Sequence, residues 1–108
     1  MSRFNVAIFW RATSTALIRQ LLTLCGNGAE LVGAQEREWA SATFAGARHI
    51  VDLLMPAGDL GRLATLPDHE FTLAGEIVAD CSVAIGRCES DGADRQPVRV
   101  ELLTINAD

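Results

Sequence analysis

Phe71-Thr72-Leu73-Ala74-Gly75-Glu76-Ile77-Val78-Ala79-Asp80-Cys81-Ser82-Val83-Ala84-Ile85 is the stretch that decides the fold. Read in steps of two, Phe71, Leu73, Ile77, Ala79, Cys81, Val83 and Ile85 fall on one side. Thr72, Ala74, Glu76, Val78, Asp80, Ser82 and Ala84 fall on the other. Successive side chains of a strand point to opposite faces, so the pattern predicts a strand with one buried and one wet face, the mark of an antiparallel sheet. Gly75 interrupts the run, and a bulge or bend is expected there.

The element that covers this strand lies earlier in the chain. Leu17, Ile18, Leu21, Leu22 and Cys25 recur at three- and four-residue steps, which lines one side of a helix, while Arg19, Gln20 and Thr23 fall on the other. Thr13 or Ser14 is placed to cap its first turn. Gly26-Asn27-Gly28 supplies residues that adopt the left-handed conformation ending a helix.

Glu36 to Met55 reads as a β-hairpin around Ala45-Gly46. With a two-residue loop, Phe44 pairs with Ala47, Ala42 with His49, Ala40 with Val51 and Glu38 with Leu53, and all of these share one face. The reverse face then carries Trp39, Ser41, Thr43, Arg48, Ile50, Asp52 and Leu54. A loop one residue longer or shorter would swap the two faces. Residues 56–69, with Pro56, Gly58, Gly61 and Pro67, read as a connection in which Asp59 caps a single helical turn through Leu60, Leu63 and Ala64. After a polar turn at 89–96, Pro97 opens a last strand with Val98, Val100 and Leu102 facing the core; Leu103 and Ile105 break the phase, by a bulge or by burial on both faces. Arg3 to Trp10 reads as a first strand; the rival reading is one long helix from near Asn5, because Phe9, Trp10, Thr13 and Leu17 also satisfy helical spacing.

The expected fold is therefore α+β: one amphipathic helix packed on a curved antiparallel sheet of about five strands, in the order β-α-β-β-β-β with the later strands in a meander, and residues 1–108 forming one domain. In its element order the chain resembles the cystatin-like arrangement of a helix cradled by a curved sheet. That resemblance implies an architecture and transfers no function.

Composition narrows the function classes. The apolar share of 49% and charged share of 21% are those of a globular protein. A mean hydropathy of +0.20 is high for a chain this small, and implies apolar surface left for a second copy to cover. The net charge of −5 divides into three arginines and no acid before Glu30, and six arginines against fourteen acids after it. So acidic a chain lacks the basic stripe that nucleic acid requires. All nine basic residues are arginine and there is no tyrosine, which excludes Schiff-base chemistry, a phosphate-loop lysine and a tyrosine acid. Together with sixteen alanines this composition points to a GC-rich bacterial genome. Cys25, Cys81 and Cys88 form no Cys-x-x-Cys pair, as expected of buried thiols in a reducing cytoplasm. Arg11, Arg19 and Gln20 interrupt the apolar residues before Cys25, so neither an export signal nor a membrane span is expected.

The residues able to form a site are few. Trp39, Arg48 and Asp52 share the hairpin's reverse face and, with His49, are the candidate ligand-binding residues: an Arg–Asp pair beside an indole can orient a small anionic or planar ligand. The plainer reading of that face is a solvated one with a cross-strand ion pair. His49 and His69, with Asp52 and a cysteine, have no spacing of a known metal motif, and neither a metal nor a cofactor is expected. Glu36 with Glu38, and Glu76 with Asp80, lie on wet faces where no carboxyl is lifted toward catalytic use. Cys25 and Cys81 read as core; Cys88, near a turn, is the thiol best placed to react. No catalytic residue stands out. The expected function is thus a non-enzymatic interaction or assembly module acting as a homodimer through an apolar sheet face or an edge strand. The alternative is a small-molecule binder or enzyme with a polar pocket between helix and sheet.

Overall fold

The computed structural model describes residues 12–86 and 95–107, with side chains from Thr15 onward. It is an α+β arrangement: helix α1 (Ala12–Cys25), strands β1 (Glu30–Ala40) and β2 (Ala45–Pro56), a 3-10 helix (Ala57–Asp68), then β3 (Glu76–Ile85) and β4 (Arg95–Asn106). The strands form an open antiparallel sheet in the order β1-β2-β4-β3. There are thus four strands among the described residues rather than about five; the expected strand at Arg3–Trp10 lies outside them, as do Cys88 and most of the polar turn at 89–96. Thr13 and Ser14 fall inside α1, where neither can be its N-cap residue. The helix ends where its sequence says, with Gly26 at φ 97° donating its N–H to Leu22 O at 3.1 Å.

The hairpin turns earlier than expected. Ala40 faces Ala45 and the loop is Ser41–Phe44, so Ala47 lies opposite Glu38 and not Phe44. The cause is Ser41: its Oγ accepts the N–H groups of Thr43 at 3.3 Å and Phe44 at 3.0 Å, closing a serine turn that Ala45-Gly46 cannot offer. The loop is longer by an even number of residues, so the faces survive. Ala47, His49, Val51 and Leu53 point to the core, while Trp39, Arg48 and Asp52 point away.

Residues 57–68 are helical throughout, not a single turn, and Asp59 caps nothing; it lies 3.7 Å from Arg62 instead. The reason is legible in retrospect. Leu60, Leu63 and Leu66 recur at intervals of three, the period of a 3-10 helix, which aligns them on one side against the core. The expected meander also fails, because the chain crosses from β2 to the far edge and β4 then inserts between β2 and β3. β4 suits that central place: Val98, Val100, Leu102 and Thr104 are buried on one face while Leu103 and Ile105 are half-buried on the other, with no bulge against β2.

β3 is shorter than the alternating stretch. Phe71–Leu73 is held to α1 by Gln20, whose amide donates to Thr72 O at 2.7 Å and accepts Thr72 N–H at 3.0 Å, taking the place of a strand partner. Gly75, at φ 75°, forms a turn before the strand and not a bulge within it. The bulge is Ala79, which has no partner between Val78 and Asp80 and which reverses the phase. Cys81 and Val83 therefore meet the core as expected, but Val78 replaces Ile77, which is 55% exposed.

One core results. Leu17, Leu21 and Cys25 of α1 close over Val51, Leu53, Val100 and Leu102 of the central strands, with Leu63 and Leu66 completing the layer. Both helical segments sit on this face.

Candidate functional site

His49 belongs to the core side. It is 3% exposed, and its Nε2 lies 3.2 Å from the hydroxyl of Thr104, itself wholly buried on the neighbouring strand. Thr104 Oγ1 donates to Ala47 O at 3.2 Å, which leaves its oxygen as the acceptor toward His49. The arrangement ties β2 to β4 through side chains, and it is a structural bond. Thr104→Val keeps the shape but removes this acceptor, and should lower the unfolding free energy by about 1–2 kcal/mol, measured as a shift of the urea midpoint at unchanged slope.

The other three candidates lie on the opposite, outer face. Asp52 does not pair with Arg48. It accepts two hydrogen bonds from Arg99 of β4, at 2.8 Å from Nε and 3.2 Å from Nη2, and that hydrogen bond and charge raise the guanidinium's pKa above its ordinary value. Arg48 lies 3.7 Å from Glu101, also on β4, and Arg95 pairs with Glu30 across one end of the sheet. Trp39 stands directly across from Gly46, its indole N–H enclosed and without an acceptor among the described residues. The four candidates thus divide three to one between the faces. Arg99 and Glu101 escaped the sequence because nothing in it told that β4 is the neighbour of β2.

The outer face has a plan. The paired residues place Asp52 beside Arg99, Ile50 beside Glu101, and Arg48 beside Leu103, making a charged belt across its middle. Apolar side chains occupy both ends. At one end Val32, Leu54, Ala84 and Pro97 line an open trough of about 460 Å³ walled by the Asp52–Arg99 pair. At the other end Ile105 pairs with Ile77, next to Trp39 and the exposed Phe44. Among the described residues no element covers this face.

Cys25 and Cys81 are both free and buried, and burial pushes both thiols up, Cys81 to about 11. That is the opposite of an activated nucleophile. His69 is exposed and meets the ring of Phe71 edge-on at 4.7 Å. Among the described residues no three His, Cys, Asp or Glu side chains are placed to hold a metal ion, and no helix is long and apolar enough to cross a membrane. The chain matches no family model, no curated protein and no solved structure.

Proposed function

We propose that the chain is a non-enzymatic interaction and assembly module of the bacterial cytoplasm that forms a homodimer through the outer face of its sheet. One observation carries this reading: Ile50, Leu54, Leu103 and Ile105 lie half-buried, and Ile77 exposed, on a four-stranded face that no described element covers. A sheet face so rich in branched apolar residues loses free energy when another surface excludes water from it, at about 25 cal/mol per Å².

The face is favoured over the edges. Both edge strands carry a bulge, at Val32 in β1 and at Ala79 in β3, and both carry exposed charge, such as Glu38 and Asp80. Bulges and charges are how sheets discourage edge-to-edge pairing. The free buried thiols and the lysine-free composition are the support for a reducing bacterial compartment. The alternative, a polar pocket between helix and sheet, has less behind it, since of Trp39, Arg48, His49 and Asp52 only His49 faces that side. Gel filtration with light scattering is the test. A dimer at tens of micromolar is expected, and a monomer throughout that range would reject the proposal.

A further inference from the structure

The outer face is complementary to itself in one particular orientation. Register fixes which residues stand side by side across the four strands, and five such rows can be read off: Glu30, Leu54 and Pro97; Gly33, Asp52, Arg99 and Ala84; Gln35, Ile50, Glu101 and Ser82; Arg37, Arg48, Leu103 and Asp80; Trp39, Gly46, Ile105 and Ile77. The sheet is centred between β2 and β4. A two-fold axis lying in the interface along that centre line sets β2 over the second copy's β4, and β1 over its β3, with every row kept.

We infer that the partner across this face is a second copy of the chain related by that axis, an inference that rests on the assembly reading above. Asp52 then meets the partner's Arg99, and Arg99 the partner's Asp52, so the two intrachain pairs close into a ring of alternating charge. Arg37 meets the partner's Asp80. Trp39 meets the partner's Ile77, and Leu54 the partner's Pro97. Gly33 meets the partner's Ala84, small against small, and Gln35 meets the partner's Ser82. Arg48 and Glu101 meet the partner's Leu103 and Ile50 while keeping each other, 3.7 Å apart, as neighbours. Within these five rows no like charges face one another.

The competing arrangement is an in-plane axis perpendicular to the strands, through the row of Ile50 and Glu101. It also offers Asp52 an arginine, the partner's Arg48, but it sets Glu101 on the partner's Glu101. Like charges across an interface are how wrong pairings are rejected. Size fits as well. Four strands about 4.8 Å apart and about 33 Å long present about 630 Å² per copy, so full coverage would bury about 1,300 Å² in all, at the lower end of specific interfaces. Sheets stacked face to face turn by about 30°, which leaves the central rows in contact and opens the corners.

The experiment is a charge swap read by light scattering and native mass spectrometry, with melts to confirm folding. Asp52→Arg sets arginine against the partner's Arg99 twice, and Arg99→Asp sets two aspartates together. Each alone should weaken the dimer at least about tenfold, whereas an equimolar mixture should assemble as a one-to-one heterodimer. Should either reversal impair folding, the milder Asp52→Asn and Arg99→Gln should each still weaken the dimer several-fold. A dimer indifferent to both reversals, or a mixture that stays monomeric, overturns the inference but leaves the assembly reading standing. So does rescue of Asp52→Arg by Arg48→Asp and not by Arg99→Asp, because that pairing belongs to the other axis. A wild-type chain that is monomeric to begin with overturns both.

Discussion

Gly46→Ala is expected to cost about 3 kcal/mol or more, and so to lower the melting temperature by roughly 12–24 °C. A methyl group on Gly46 would sit 1.8 Å from Thr104 O, 2.7 Å from Thr104 C and 3.0 Å from Ile105 Cα. All three are main-chain atoms of β4, so no side chain can rotate out of the way. Nor can β2 retreat, because it is paired along its length with β1 on one side and β4 on the other. Relief requires the two central strands to part where Thr104 bridges Ala47 and His49. The cost therefore sits at or beyond the upper end of ordinary overpacking. Gly33→Ala is the control: nothing lies within 4 Å of the added carbon and its φ is not positive, so the change should be neutral or slightly stabilising. Thermal melts of the two variants settle the matter. Equal melting temperatures would mean that the strands do not approach so closely.

Gly46 also shows where the sequence was misleading and why. A glycine after alanine between two apolar runs reads as a turn, yet here it marks a close backbone approach in a central strand, the other common reason for glycine in a sheet. The turn itself was written in Ser41, through hydrogen bonds from its hydroxyl that no hydrophobic pattern reveals. What periodicity can carry did come through. The α1 stripe, the inward Ala47, His49, Val51 and Leu53, and the inward Val98, Val100 and Leu102 are all where spacing puts them. The inward set of β2 survived a wrong register only because the slip was even.

The pairing across the outer face was not legible because it depends on which strands are neighbours. Alternation says that a strand has a wet face and is silent on what stands beside it. The insertion of β4 between β2 and β3 gave Asp52 and Arg48 their partners, Arg99 and Glu101, and it divided the outer face into a charged belt with apolar ends. Ala79 is a similar case. A one-residue bulge carries no compositional signature, yet it moved Ile77 from the expected core to the outer face and Val78 into its place.

The stability of the chain should also fall steeply between pH 9 and pH 11, for a reason peculiar to its composition. Burial raises the Cys81 thiol from 9.0 to about 11, with smaller contributions from the Asp80 charge and from Cys25, and burial raises Cys25 as well against a lowering by Arg62. Below pH 9 both thiols are protonated in folded and unfolded chains alike, and their burial is undisturbed. Above it the unfolded chain releases protons that the folded chain keeps, so rising pH favours unfolding until the folded Cys81 itself titrates near 11. Two units on Cys81 correspond to about 2–3 kcal/mol. Lysine and tyrosine, which usually dominate this pH range, are absent, so the alkaline limb reports the cysteines with little else beneath it. Melting temperatures taken in steps from pH 8 to pH 11 should decline for the native chain and much less for Cys81→Ala, whose starting stability will be lower because the side chain is buried. A flat alkaline limb, or one that Cys81→Ala leaves equally steep, would show that this thiol is not held protonated by the core.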